Sequence, residues 1–137
     1  MLRSERPDTL TSISNLGWVL EILGEYGEAE AMHRRALEGY EKVLGPEHPY
    51  TLTCASNLGS VLKSLGKYEE AEAMHRRALE GYEKVLGLEH PDTLTSVNNL
   101  GWVLERQGKY EEAEAMHRRD LKGSEKIPGR EMVLGSD

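Results

Sequence analysis

Apolar residues return every three or four positions along most of this chain. Leu10, Ile13, Leu16, Gly17, Leu20 and Leu23 form one stripe, which predicts an amphipathic helix from about Asp8 to Leu23. Tyr26, Ala29, His33, Ala36, Leu37, Tyr40, Val43 and Leu44 form a second stripe, and Glu28, Glu30, Arg34, Arg35, Glu38 and Glu41 cover the opposite face. That predicts a helix from Tyr26 to about Leu44. Pro7 and Asp8 supply a start signal for the first helix, with Asp8 as the expected cap. Gly24 and the Gly45-Pro46 pair supply the stops. Connections this short make neighbouring helices antiparallel.

The pair of helices then recurs. Glu28 to Leu37 reads the same as Glu70 to Leu79, and Glu112 to Arg119 repeats it a third time. Pro7, Pro49 and Pro91 are spaced by 42 residues, and a fixed period of this size marks an array of one supersecondary unit. The expected fold class is therefore all-α, an α-solenoid of three antiparallel helix-hairpin repeats at 7–48, 49–90 and 91–127. The third repeat is degenerate: Asp120 and Ser124 stand where the earlier units have Ala and Tyr, and Pro128 should end the last helix. Residues 1–6 read as the remnant of a preceding repeat or a linker, and 128–137 as a flexible tail.

Gly17, Gly59 and Gly101 lie inside predicted helices, where glycine costs about 1 kcal/mol relative to alanine. Each follows a Leu of the buried stripe, which suggests a close approach of the partner helix, with Ala29, Ala71 and Ala113 as its small counterparts. Units one and two differ at nine positions, and eight of these fall in the first helix, the turn after it or the first residues of the second helix. The second helix reads as a fixed packing element and the first as a variable surface.

Composition narrows the function. A net charge of −7 argues against nucleic-acid binding carried by net electrostatics. No apolar run reaches membrane-spanning length, and the first residues lack the apolar core of a signal peptide. Cys54 is the only cysteine, so no internal disulfide can form, which suits a cytoplasmic setting. Cys54 has no base beside it and reads as a packing residue. His33, His75 and His117 sit on the packing stripe, and their spacing has no metal-ligand geometry behind it. His48 and His90 read as structural loop residues. No nucleophile–base pair, metal cluster or Gly-x-x-x-x-Gly-Lys-Ser/Thr phosphate loop is present, so the expectation is a protein without catalytic activity, metal or cofactor.

Ile13-x-x-Leu16-Gly17-x-x-Leu20, followed by Ala29-x-x-x-His33 and Ala36, resembles the tetratricopeptide pattern, and the match recurs through about residue 127. Two features depart from that family: the period is 42 instead of about 34, and a His replaces the usual aromatic. The His-Pro-Asp-Thr-Leu, Asn-Asn-Leu-Gly and Gly-Lys-Tyr-Glu-Glu-Ala-Glu segments resemble the repeats of kinesin light chain and the near-identical arrays of fungal NOD-like (STAND) proteins. The resemblance implies a right-handed superhelix whose first helices line a concave face, and a scaffold that binds proteins or peptides. In the NOD-like proteins such an array is a sensor joined to a nucleotide-binding switch domain.

If first helices line a groove, the face opposite the Leu stripe is open to a ligand. The residues expected to bind peptide there are Asn15, Trp18, Asn57, Lys63, Asn98, Asn99, Trp102 and Arg106. Amides at 15, 57 and 99 could pair with an extended backbone, as the family resemblance implies, or bond locally within the array. Trp18 and Trp102 could anchor a ligand or lie partly buried between adjacent first helices. The groove lacks the row of cations that would clamp a C-terminal carboxylate. An alternative reading is a structural array that self-associates end to end through its terminal helices into a homo-oligomer.

Overall fold

A proline opens every odd-numbered helix, where its fixed φ suits the first turn and its missing N–H costs nothing. The computed structural model describes residues 6–126. It contains α1 (Pro7–Ile22), α2 (Tyr26–Leu44), α3 (Pro49–Ser64), α4 (Tyr68–Leu86), α5 (Pro91–Arg106) and α6 (Tyr110–Glu125), with no strand among the described residues. The N-terminal residues before Arg6, Pro128 and the tail expectation lie outside the described residues. None of the helices is long and apolar enough to cross a membrane.

Caps differ from expectation. Asp8 does not cap α1: the N-cap is Arg6, with no side-chain cap bond. In α3 and α5 the histidines of the connecting loops cap instead. His48 Nδ1 accepts from Tyr50 N–H at 3.1 Å and His90 Nδ1 from Asp92 N–H at 3.0 Å. One turn further on, the Thr51 and Thr93 hydroxyls donate to the Gly45 and Gly87 carbonyls at 2.8 Å, tying each helix start to the end of the previous hairpin. At the α1–α2 turn, Gly24 takes φ +79° and lets Glu25 N–H reach the Leu20 carbonyl at 2.8 Å. The three-residue turn leaves α2 antiparallel to α1.

Each helix packs on the helices before and after it, and α3 also touches α5. The result is two layers, α1, α3 and α5 on one side and α2, α4 and α6 on the other. The core runs between the layers and across the junctions of hairpins. Leu58, Leu62, Leu100 and Leu104 are fully buried. Their counterparts on α1 are Leu20, still buried at 8%, and Leu16, which is 49% exposed because no helix among the described residues covers that side of α1.

Two glycines lock each hairpin. A Cβ built at Gly59 would lie 2.8–2.9 Å from three ring atoms of His75, and Gly17 and Gly101 meet His33 and His117 in the same way. The partner of the first-helix glycine is thus the imidazole, not the alanine expected from sequence. Reciprocally, Gly39, Gly81 and Gly123 on the second helices receive Leu10, Leu52 and Leu94. Gly59→Ala should therefore lower stability by about 1–3 kcal/mol despite the better helix propensity of alanine. A double-mutant cycle in denaturant checks the cause: in a His75→Ala background, the same change should be neutral or stabilising. Equal cost in both backgrounds would remove the imidazole from the explanation.

The outer layer carries its charges in pairs that cross hairpin boundaries. Glu30 takes Arg34 at 2.8 Å and Lys67 at 3.2 Å, while Arg34 reaches on to Glu70 at 3.0 Å. One period later Glu72, Arg76, Lys109 and Glu112 repeat the arrangement. Arg77–Glu41 and Arg119–Glu83 add a second row. Such exposed pairs stabilise by only about 0.2–1 kcal/mol each, and they fix register more than they hold the stack.

Candidate functional site

The layer of α1, α3 and α5 presents polar side chains because its apolar stripe faces the other layer. Where α1, α3 and α5 converge, the polar faces enclose a cavity of about 300 Å³. Trp18 forms one wall with its ring 57% exposed. Asn57, Ser60 and Asn99 line it as well, together with Tyr82 and, near that phenol, Asp92. Asn99 donates to Ser56 Oγ at 3.3 Å, bridging α5 to α3. The Asn57 carboxamide makes no hydrogen bond among the described residues and faces the cavity.

Tyr82 enters the cavity from α4. Its hydroxyl is 2.6 Å from Thr53 Oγ1, and Tyr40 and Thr11 make the same contact in the first hairpin. Burial pushes the Tyr82 phenol up, against the pull of the Thr53 bond, and the nearby Asp92 carboxylate pushes it the same way. In the third hairpin Ser124 replaces this tyrosine, and Thr95 turns back to the Pro91 carbonyl at 3.0 Å.

The structure brings three of the sequence-predicted residues together: Trp18, Asn57 and Asn99 line one cavity. The other five lie off it. Asn15 is exposed on α1 and Arg106 on the last turn of α5. Asn98 points to its own hairpin, with Oδ1 3.1 Å from His117 Nδ1. Trp102 sets its ring edge-on to His117, centroids 5.6 Å apart, and keeps 47% exposure. Lys63 lies beside His75 and opposes its protonation.

That last placement separates the three imidazoles. His33 Nε2 is 2.9 Å from a Glu21 oxygen and His117 Nε2 is 3.1 Å from a Glu105 oxygen. The matching residue in the middle hairpin is Lys63, so His75 has no carboxylate. Burial first, and the Lys63 charge second, lower its pKa to about 4. His75 is held as a neutral packing group.

The sequence places Tyr82, the copy of Tyr40, on the packing stripe of the second helix and Asp92, the copy of Asp8, at a helix start, yet both line the cavity. A signal for Asp92 existed, since position 8, 50 or 92 of the repeats alternates Asp, Tyr, Asp. Chemically the cavity is a hydrogen-bonding surface, with Tyr82 and Asp92 its only ionisable groups. Cys54 is buried, and burial pushes its thiol up to about 11, which makes it a poor nucleophile. No cluster of His, Cys, Asp or Glu among the described residues has the spacing of a metal site. A larger cleft of about 640 Å³ lies between α4, α5 and α6; most of its charges are paired, Arg119 with Glu83, Lys126 with Glu89 and Arg118 with Glu114, and Lys122 has no ion pair among the described residues.

The tetratricopeptide repeat model matches residues 8–84 and 56–126. Among solved structures, BtubC (BKLC) from P. vanneervenii superposes with a TM-score of 0.83 at 25% identity, over 92% of this chain and 50% of that one. The nearly identical TPR-like repeats of a putative kinesin light chain from Podosopora anserina superpose with a TM-score of 0.80 at 26% identity, over 93% of this chain and 61% of that one. The chain thus spans about half to three fifths of those proteins. The TPR domain of Arabidopsis FLU, at 20% identity and a TM-score of 0.77, shares the fold. No curated protein sequence matches.

Proposed function

We propose, because the chain belongs to the tetratricopeptide repeat family, whose domains generally mediate protein–protein interaction, that its concave face binds an extended peptide segment of a partner protein. The observation that carries this reading is the contrast between the two layers. Two rows of charges on the outer layer are taken up in ion pairs that join neighbouring hairpins. The inner layer instead holds an open cavity with an exposed indole and the unbonded Asn57 amide. An amide donates and accepts, as a peptide backbone does, and a half-exposed Trp beside it is a ready anchor.

In this reading Trp18, Asn57 and Asn99 contact the peptide, and Trp102 and Arg106 extend the surface toward the far end. Peptides selected from a random-sequence library against the intact chain should bind Trp18→Ala at least about tenfold more weakly, and Asn57→Ala measurably more weakly. Fluorescence anisotropy measures both, with circular dichroism to confirm that the variants stay helical. Unchanged affinity in both variants rejects the assignment. A role as the sensor part of a larger NOD-like signalling protein is supported by the motif resemblance alone.

End-to-end stacking of copies has less behind it. The open stripe on α1, Leu16 with Val19, Ile22 and Leu23, is apolar enough. Docking a second copy there in the register of the internal junctions, however, sets Glu114 against Glu25, where the internal junction sets Glu30 against Lys67. It also sets Asp120 where Ala36 is fully buried.

A further inference from the structure

Tetratricopeptide grooves differ in which side chains of a peptide they select, and selection follows from the charge and shape of the wall. Two groups on this wall stand out from its hydroxyls and amides. Asp92 is the only residue of the cavity that carries a charge at neutral pH. Among the described residues its carboxylate has neither an ion-pair partner nor a side-chain hydrogen bond, so its charge is open to a ligand. Trp18 presents its indole to the same cavity. The cations that could have neutralised the wall are elsewhere: Lys63 is beside His75, and Arg106 is on the last turn of α5. The chain as a whole carries −7, which adds a long-range attraction for positive ligands.

We infer that the groove selects a basic side chain, a lysine or arginine of the bound segment whose stem lies along the Trp18 ring and whose cationic head meets the Asp92 carboxylate. This rests on the peptide-binding reading above. A cation over an indole gains about 0.5–1 kcal/mol at exposed sites and more where water is displaced, and a carboxylate lining the same cavity adds a directed ion pair. Lysine and arginine suit the site because their long apolar stems can cover the ring while the head stays polar. An acidic or C-terminal carboxylate would instead be repelled by Asp92 with no cation on the wall to offset it.

The test uses the intact chain and the peptides enriched from a random-sequence library. Enriched peptides should share a lysine or arginine. They should bind Asp92→Asn about tenfold more weakly than the unmodified chain, with the gap narrowing as salt rises. Enrichment on the unmodified chain needs no variant, so a folding defect in Asp92→Asn cannot hide the answer. If enriched peptides lose affinity on Trp18→Ala and Asn57→Ala but carry no basic residue, or bind Asp92→Asn as tightly, the basic preference is overturned and the groove assignment stands. If no peptide is enriched, or if binding ignores Trp18 and Asn57, both fall together.

Discussion

Leu58→Ala should destabilise the protein by about 2–5 kcal/mol, while the same change at Leu16, its counterpart one repeat earlier, should cost about 1 kcal/mol or less. The two leucines share a repeat position and a helix face. Leu58 is 1% exposed and belongs to a cluster with Leu10, Ile13, Leu37 and Tyr40, residues of the preceding hairpin. Removing its isobutyl group therefore opens a void at a junction as well as within a hairpin. Leu16 is 49% exposed, so roughly half of its transfer free energy was never gained. In a stacked array the middle unit contributes to both junctions, which adds to the asymmetry. Urea denaturation of the two variants measures the difference. Equal losses, or a larger one at Leu16, would mean that the first hairpin is covered in solution or that the stacking order is wrong.

Acid should weaken the fold through His75 before it reaches the carboxylates. The pKa of His75 is lowered from 6.5 to about 4 in the folded state, chiefly by burial and further by Lys63. The unfolded chain therefore binds a proton on this residue at a pH where the folded chain does not. Stability that is fully present above about pH 6.5 is lost as pH falls toward 4, on the order of 3 kcal/mol in all. The ion-paired glutamates act in a lower window. Burial would raise Glu30 and Glu72, but hydrogen bonds from Arg34 and Lys67, and from Arg76 and Lys109, outweigh it and hold both below 4.5. Lys63→Glu would give His75 the carboxylate that His33 and His117 already have at 2.9 and 3.1 Å. Its acid loss between pH 6.5 and 4 should then shrink. Melting temperatures across that range check this, and an acid limb untouched by Lys63→Glu would remove the imidazole from the account.

Much of the architecture could be read from the chain alone. The period-3.6 stripes placed six helices to within a few residues, because a stripe depends only on neighbours three and four positions away. Errors arose where a residue's role depends on something further off. Asp8 has the side chain of a cap, but among the described residues only His48 and His90 accept from a helix start. Gly39, Gly81 and Gly123 went unremarked, since nothing local shows that Leu10, Leu52 and Leu94 point into them. The eight candidate groove residues were chosen by helical phase. Phase alone could not tell Asn99, which bridges to Ser56 on α3, from Asn98, which turns to His117.

By itself, then, the sequence determined the helices, their antiparallel order and the repeat of 42 residues, all of which follow from local periodicity and short connections. The tertiary structure decided which copy of a repeated residue is buried and which polar groups meet. Leu16 and Leu58 are the same residue in the same phase, and only the presence of a preceding hairpin makes one core and the other surface. The cavity is settled the same way. Trp18, Asn57 and Asp92 come from three different repeats, and stacking alone makes them line one cavity.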